Sequence, residues 1–404
     1  MILFGVMAPC AAHAELSAGV AKRDLTPPHR VPMAGYSRRH GQLSTGVHDA
    51  PQVRALVLSD KDATVALASC DLLIIDERLF HAIDQRVHAA SATPITLIVA
   101  ATHTHSGPGA FGQKFLEKIS MGHYDPAVFE FLASRIAETI LAASQQRQPV
   151  TIRAGTVATT GLIKNRVAEG GPVDSELTLF AAIDGQGKPV AIVANFSAHP
   201  TTLGASNMQL SADYPGVLTR LVEEHAPGAV CLFTAGSVGD QAPIKHGTMF
   251  ETSEAMGQSL AAEVIGWLDH PSTQPGQADL AARQQTMRLA PARVRLGRVT
   301  LPSAIGGLLV DDDADLSAVR IGDVLWMGVP CDFSAELGLT LKAFAREAGY
   351  QPMIIGFAND YIGYCLPERL YRSGAYEALM AFNGPRTGED LLDALKGMAQ
   401  ELRR

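Results

Sequence analysis

The chain has little positive charge and few aromatic residues. Its 404 residues include 33 Lys and Arg against 41 Asp and Glu, a formal net charge of −8, and only 14 Phe, 8 Tyr and 2 Trp. A nucleic-acid-binding surface needs clustered basic side chains, commonly with aromatic residues among them. The sequence contains no such basic stripe, so we expect no nucleic acid among its partners.

The sequence also lacks long apolar runs and low-complexity segments. Beyond the N-terminus, no stretch approaches the roughly 20 apolar residues that a membrane-spanning helix requires, so we expect no stable membrane insertion. A hydrophobic fraction of 47% with 18% charged residues is typical of a chain with a large core. Because we find no internal repeat or linker, we interpret residues 15–404 as a single domain.

The first residues have the pattern of an export signal. Residues 2–12 form a short apolar run, and Ala12-His13-Ala14 fits the small-x-small cleavage pattern. We therefore predict a signal peptide over residues 1–14 and a mature chain that begins at Glu15, in the periplasm or outside the cell. The alternative is a disordered cytoplasmic terminus, because the usual positive charges before the apolar run are missing.

Cysteine is scarce, with five in the whole chain. Cys70 and Cys231 lie at the end of or inside apolar runs, which is typical of buried thiols. Cys331 and Cys365 are the remaining two outside the predicted signal. Export would permit them to form a disulfide, although sequence alone does not fix connectivity.

Apolar runs of strand length alternate with amphipathic stretches of helix length. The predicted strands cover 53–58, 64–69, 95–101, 150–157, 176–183, 190–196, 324–327 and 353–357. The predicted helices cover 76–90, 125–143, 214–224, 252–268, 334–347 and 388–404. This order predicts an α/β protein in which layered mixed β-sheets are flanked by helices.

Two of the predicted strands end in histidines. Residues 95–101 lead into Thr-His-Thr-His, which places His103 and His105 two positions apart and on the same side of the chain if it stays extended. Residues 190–196 lead in the same way to His199. A zinc site needs ligands from distant segments that converge on one point. The repeated pattern therefore favours a metal site over the alternative of hydrogen-bonded loop histidines.

Short motifs recur in order along nearly the whole chain. They are Gly-Val-Ala-Lys-Arg-Asp-Leu-Thr-Pro-Pro (19–28), Gly-Tyr (35–36), Gly-Val-His-Asp (46–49), Thr-His-Thr-His-Ser-Gly-Pro-Gly (102–109), Asn-Arg (165–166), His-Pro-Thr (199–201), Ser-Ala-Asp-Tyr-Pro-Gly (211–216) and Gly-Asp (239–240). Together they resemble the catalytic domain of the neutral/alkaline ceramidase family of zinc amidases. The resemblance implies a ceramidase-like α/β fold and hydrolysis of an amide bond.

The resemblance also implies a metal ion held by two histidines, a carboxylate and a tyrosine. The two ligand histidines of the family carry over onto His103 and His199, so Zn²⁺ is the expected cofactor. His105 carries over as an active-site histidine outside the ligand set. We expect it to act as general base or acid, since imidazole titrates near neutral pH.

Asp332 and Tyr364 carry over as the other two ligands. The family has a glutamate in a Pro-Gly-Glu motif, whereas this chain reads Pro-Cys-Asp at that point. The side chain of Asp332 is one methylene shorter, so its backbone has to lie closer to the metal. Tyr364 is expected to serve both as ligand and in catalysis. Tyr361 is the alternative ligand and otherwise a candidate substrate contact.

Four further polar residues are candidates for the site. Asp240 is expected to take part in catalysis by orienting an imidazole, with a loop-capping aspartate as the alternative. Asn165 and Arg166 are candidate substrate contacts, because arginine binds carboxylates through two hydrogen bonds. A structural ion pair is the alternative for Arg166. His48 is expected to line the substrate pocket.

Ala242 departs from the family pattern. Ceramidases carry a serine, proposed as nucleophile, two residues after the Gly-Asp pair, and this chain has alanine there. Alanine has no hydroxyl group, so a covalent mechanism through this residue is excluded and metal-activated water remains. The family also extends into a C-terminal immunoglobulin-like domain, which we expect to be absent after the last predicted helix.

These observations predict a zinc-dependent hydrolase of a linear amide. The expected substrate is a small N-acyl compound, smaller or more polar than ceramide, because the family serine and the accessory domain are both missing. Three alternatives remain: ceramidase activity proper, ester or lactone hydrolysis at the same zinc site, and a catalytically silent binding protein on the ceramidase fold.

Overall fold

The computed structural model describes residues 15–270, 276, 278–296, 299–300, 302, 306–307 and 309–403. The predicted export signal, residues 1–14, lies outside these residues. Within them the helices are α1 Glu77–Ala90, α2 Phe115–Met121, α3 Pro126–Gln145, α4 Tyr214–His225, α5 Met249–Asp269, α6 Ala335–Glu347, α7 Tyr376–Leu379 and α8 Thr387–Glu401. None of the helices so described has the length and apolar character needed to cross a bilayer.

The strands alternate with these helices along the chain. They are β1 Ser17–Asp24, β2 Gly46–Val47, β3 Gln52–Ser59, β4 Thr64–Cys70, β5 Thr96–Ala101, β6 Gln148–Pro149, β7 Thr151–Ala158, β8 Ile163–Asn165, β9 Glu176–Ile183, β10 Pro189–Phe196, β11 Gln209–Leu210, β12 Val230–Ala235, β13 Gln241–Pro243, β14 Leu280–Arg288, β15 Arg295–Leu296, β16 Val299–Thr300, β17 Asp313–Ile321, β18 Val324–Gly328, β19 Asp332–Phe333, β20 Gln351–Ile355 and β21 Tyr364–Cys365.

Three mixed sheets form the body of the protein. Their strand orders are β5-β4-β3-β1-β6, β12-β10-β9-β7 and β14-β17-β18-β20. In each sheet one pair is parallel, namely β4 with β5, β10 with β12, and β18 with β20. Short strands pair as β2 with β11, β8 with β13, β15 with β16, and β19 with β21. The predicted α/β fold of layered mixed sheets with flanking helices is confirmed.

The core forms between the sheets and under the helices. Leu56 of the first sheet, Phe180 of the second and Trp326 of the third belong to one buried apolar cluster, so the sheets pack against each other. The rings of Phe180 and Trp326 meet edge to face with their centroids 5.0 Å apart. Helices α1, α3, α4 and α5 cover the other faces of the first two sheets, and α6 and α8 cover the third.

Local sequence explains where two of the longer helices begin. The carboxylate of Asp76 accepts a hydrogen bond from the backbone N–H of Leu79 and caps α1, and Asp125 caps α3 with proline in its first turn. The sequence did not reveal the long pair β14 and β17, because β14 is rich in polar residues and much of it is exposed. Its stability comes from pairing with a neighbour distant in sequence.

All four cysteines in the described part of the chain are buried free thiols. This confirms the prediction for Cys70 and Cys231. Cys331 precedes β19 and Cys365 ends β21, but the two form no disulfide with each other. The disulfide bond that export would permit between these two cysteines is therefore not present in this structure.

Four strand ends are joined by three backbone hydrogen bonds. The N–H of Ala101, which ends β5, donates to the carbonyl of Phe357 after β20 (3.2 Å). The N–H of Gly236 donates to Phe196, the last residue of β10 (3.0 Å), and the N–H of Gly356 donates to Ala235 of β12 (2.8 Å). The loops after these strands therefore meet at one place, where polar side chains can converge.

Candidate metal centre and active site

His103 leaves β5 in a left-handed backbone conformation, with φ of 66°. The segment is therefore not extended at His103, although the rings of His103 and His105 still lie side by side. The Nδ1–H of His103 donates to the carbonyl of Leu73 (2.7 Å), and its ring stacks on Phe357 with centroids 3.9 Å apart. These contacts fix the ring and leave the Nε2 lone pair free.

His199 is oriented in the same way from the end of β10. Its Nδ1–H faces the carbonyls of Val238 (2.7 Å) and Gln241 (3.1 Å). The side chain is completely buried. Its Nε2 lone pair therefore points away from the loop that holds the ring, toward the interior of the site.

The four residues expected as metal ligands lie together. The Oδ1 atom of Asp332 is 3.0 Å from Nε2 of His199 and 3.7 Å from Nε2 of His103. The hydroxyl oxygen of Tyr364 is 3.3 Å from Nε2 of His199. Ligand atoms about 2.0–2.2 Å from a tetrahedral zinc ion are about 3.3–3.6 Å from one another. The observed spacing is close to this range.

The electrostatics of these groups fit a cation. Burial lowers the pKa of His103 to about 4 and that of His199 well below its usual value, so both rings are neutral at pH 7. The Oδ1 atom of Asp332 is buried and has no hydrogen-bond partner among the described residues. Two nitrogen lone pairs and a carboxylate oxygen thus face each other, an arrangement that a cation between them would stabilise.

His105 lies beside this group. Its Nε2 is 3.2 Å from Nε2 of His103, and nitrogens of His103, His105 and His199 lie within 4.8 Å of one another, so the three histidines could hold a metal ion. Burial, followed by the neighbouring imidazoles, lowers the pKa of His105 well below its usual value. The ring of Tyr36 packs against it with centroids 5.0 Å apart.

Arg166 reaches the site from the end of β8. Its Nη2 donates to the hydroxyl of Tyr364 (2.9 Å) and to the carbonyl of Gly239 (3.1 Å), and lies 3.3 Å from Nε2 of His199. Its Nε donates to the buried carboxylate of Glu377 in α7 (2.7 Å). The guanidinium is therefore held against the candidate ligands by an ion pair.

Two of the expected site residues have structural contacts outside the cluster. Asp240 accepts hydrogen bonds from the N–H of Ala335 (2.9 Å), from Gln241 (2.8 Å) and from the amide of Asn165 (2.8 Å). Asn165 also donates to the carbonyl of Pro172 (2.9 Å). The carboxylate of Asp240 thus joins β8, β13 and the start of α6, and neither side chain lines the cavity above the histidines.

His48 lies elsewhere. It pairs with Asp49 (2.8 Å) and stacks on Phe250 with centroids 4.0 Å apart. It lines a different cavity, between β3 and α4. The structure therefore places His48, which directly follows the β2–β11 pair, in a different cavity from His103 and His105.

A cavity of about 320 Å³ opens above His103 and His105. Tyr361, Tyr364 and Tyr376 form part of its wall. Most of the remaining wall is apolar and consists of Leu73, Ile74, Leu116, Ile119, Leu309, Val310, Ile362, Met380 and Phe382. An ion pair between Lys114 and Asp311 closes one side. The histidines thus lie at the end of a pocket that is suited to an apolar group.

The family model for the N-terminal part of neutral/alkaline non-lysosomal ceramidases matches residues 16–287. The chain belongs to this family. Neutral ceramidase 1 of Arabidopsis thaliana is 22% identical over 84% of the chain, and the neutral ceramidase of Pseudomonas aeruginosa is 23% identical over 95%. The alignments cover 45% of the plant protein and 72% of the bacterial one, so the chain spans less than half of the former.

Solved structures agree with this assignment at the level of the fold. The crystal structure of the neutral ceramidase from Pseudomonas aeruginosa superposes with a TM-score of 0.85 at 20% identity, covering 96% of this chain and 74% of that one. A ceramidase complexed with C2 gives a TM-score of 0.87 at 19% identity, over 96% and 75% of the two chains. At this identity the likeness establishes a shared ceramidase fold.

Sequence reasoning missed two neighbours of the cluster. Glu377 forms the ion pair with Arg166, and Phe357 stacks on His103. Phe357 has a φ of 55°, unusual for a bulky residue. No spacing pattern links either residue to the histidines. The resemblance marked Gly35-Tyr36 as a landmark, and Tyr36 does lie against His105.

The arrangement predicts that metal binding depends on His199. We expect the metal-stripped chain to take up one equivalent of a divalent transition metal, and His199→Ala to lose most of that capacity, since it removes a central nitrogen. Metal content after reloading and gel filtration, measured by mass spectrometry, is the readout. His123→Ala, at an exposed histidine, is the matched control and should bind like the wild type. Full metal content in His199→Ala would contradict the assignment.

Proposed function

We propose that this ceramidase-family chain is a zinc-dependent hydrolase that cleaves an N-acyl amide bond. The observation that carries the proposal is a set of distances. The unpartnered Oδ1 of Asp332 lies 3.0 Å from Nε2 of His199 and 3.7 Å from Nε2 of His103. Tyr364 completes the proposed ligand set at 3.3 Å from His199. Two nitrogens and two oxygens are ligands that zinc accepts in catalytic sites.

The chemistry needs an activated nucleophile, because Ala242 has no hydroxyl group. A zinc ion bound to these residues would lower the pKa of a bound water molecule to about 7 and polarise the scissile carbonyl. Ala242 itself lies in β13, where it pairs with Lys164 of β8. It therefore contributes backbone structure to the loop beside His199.

His105 is the proposed general base. Its ring is neutral at pH 7 because burial lowers its pKa, so one ring nitrogen carries a lone pair that is able to accept the proton of the attacking water. The same atom then donates that proton to the leaving amine. Arg166 orients Tyr364 through the hydrogen bond from Nη2. Asp240 acts as a positioning residue, since its backbone carbonyl accepts the N–H of Arg166 (2.8 Å).

Replacing His105 with alanine should separate catalysis from metal binding. We expect kcat to fall by roughly 10²–10⁴-fold, the usual contribution of a general base, while metal content stays at the wild-type level. Steady-state and rapid-mixing kinetics on the zinc-loaded protein are the measurements, again with His123→Ala as control. Loss of the metal in His105→Ala would make His105 a ligand instead. A burst of acyl-enzyme formation in the wild type would contradict the water mechanism.

The pocket supports a substrate smaller than ceramide. Ligand pockets generally range from about 300 to 1,000 Å³, so a cavity of about 320 Å³ is near the lower limit. Its apolar wall suits one acyl group, and Lys114 with Asp311 adds charge on one side. The expected anion contact through Asn165 is not supported, because that side chain is engaged by Asp240 and Pro172.

A side-by-side assay tests this substrate class. We expect the zinc-loaded chain to hydrolyse short N-acyl amino acids or amides with a higher kcat/KM than long-chain ceramide, because two long chains exceed the cavity. The corresponding esters serve as the comparison for bond type. A clear preference for ceramide would overturn the substrate assignment but leave the zinc hydrolase intact. A clear preference for the esters would make the protein an esterase.

The proposal also includes export, with residues 15–404 as a single catalytic domain. Export is supported by the N-terminal sequence pattern alone, so this part of the proposal is tested separately. Expression of the full chain in a bacterial host, followed by fractionation and N-terminal sequencing, should yield a periplasmic or secreted product that begins at Glu15. A cytoplasmic product that retains Met1 would refute it.

A further inference from the structure

The ligand-type carboxylate of this chain is an aspartate, and its backbone lies unusually close to the opposite loop. A Cβ atom on Gly239 would lie 2.5 Å from the carbonyl oxygen of Asp332, which is closer than any side chain tolerates. Gly239 directly follows Val238, whose carbonyl holds His199. The absence of a side chain at Gly239 therefore allows Asp332 to approach the histidine loop.

Strand pairing fixes this position from the other side. Asp332 begins β19 and is in register with Tyr364 of β21. Its N–H donates to the carbonyl of Gly363 (2.9 Å). The backbone of Asp332 is thus held between two segments, which fixes the point from which its short side chain reaches toward the histidines.

A close backbone does not by itself orient the carboxylate. The torsion at the end of an aspartate side chain is broad and roughly two-fold, so rotation would move Oδ1 away from the histidines. The hydroxyl of Tyr361 donates to Oδ2 (2.8 Å). This hydrogen bond leaves Oδ1 unpartnered, 3.0 Å from Nε2 of His199.

Tyr361 is itself fixed from two directions. Its backbone N–H donates to the carboxylate of Asp360 (2.6 Å). Its ring lies against Phe357, with centroids 6.1 Å apart and planes 26° apart, and Phe357 stacks on His103. The hydroxyl that holds Asp332 is therefore coupled through packed rings to one of the candidate histidine ligands.

We propose that Tyr361 is a positioning residue that aims the shorter Asp332 carboxylate at the metal. The inference rests on the metal site of the proposed function. It places Tyr361 outside the ligand set, because its hydroxyl already donates to Oδ2 of Asp332, while its ring remains part of the cavity wall. Outer hydrogen bonds of this kind typically contribute 10–100-fold to metal affinity.

A double-mutant cycle on the full chain tests the assignment. The variants are Tyr361→Phe, Asp332→Ala and the double variant, and zinc affinity is measured by competition with a chromogenic chelator. We expect Tyr361→Phe to weaken zinc binding by about 10–100-fold. In the Asp332→Ala background the same change should have less than about a twofold effect, because the group it orients is gone. Tyr350→Phe, in a buried tyrosine of a different core cluster, is the matched control.

Two further measurements separate a positioning role from other roles. The metal-free Tyr361→Phe protein should melt within a few degrees of the metal-free wild type, and its cobalt-loaded form should keep the wild-type ligand-field spectrum. Unfolding of the metal-free variant, or a changed cobalt spectrum, would overturn the assignment in favour of a structural or ligand role. Unchanged zinc affinity in Tyr361→Phe would overturn it as well. If the wild type itself binds no zinc, the proposed function fails, which is a distinct outcome.

Discussion

The site depends on lone pairs that are buried close together, on two imidazole nitrogens and one carboxylate oxygen. Oδ1 of Asp332 lies 3.0 Å from Nε2 of His199 and 3.7 Å from Nε2 of His103, and the imidazoles are neutral because burial lowers their pKa. Such groups do not stabilise one another without a proton or a cation between them. The surrounding fold must therefore hold them in place, and much of the architecture around the strand ends serves that purpose.

Backbone atoms do most of the work of fixing these side chains in position. Carbonyls of Leu73 and Val238 fix the two imidazoles, and strand pairing fixes Asp332. His103 and Phe357 both have left-handed backbone conformations, which cost of order 1–3 kcal/mol each when the surroundings impose them. Three packed sheets and their helices provide the rigid frame that maintains this strain.

The chain combines a family fold with two changes at its centre. Against the pattern that the family resemblance implies, alanine stands at residue 242, in a paired strand, where a serine is expected, and aspartate stands at residue 332 where a glutamate is expected. Alanine at the first position offers no hydroxyl nucleophile. Aspartate at the second position keeps a carboxylate but is one methylene shorter, so its backbone has to lie closer and another group has to orient the carboxylate. Gly239 allows the close approach of the Asp332 backbone, and the hydroxyl of Tyr361 donates the hydrogen bond that orients the carboxylate. The two changes thus differ in kind.

The sequence by itself determined the layered α/β fold, eight of the strands and six of the helices, because apolar periodicity is a local property of the chain. Its ordered short motifs indicated the family. The histidines at two strand ends pointed to His103 and His199, and the family resemblance added Asp332 and Tyr364. The sequence did not determine β14, whose polar strand is stabilised by a distant partner. Only the tertiary structure showed that Asn165 and Asp240 bind each other, that His48 faces another cavity, and that Glu377 holds Arg166. These contacts join residues 75 and 211 positions apart in two of the cases, and such partners are decided by how the sheets pack rather than by any pattern along the chain.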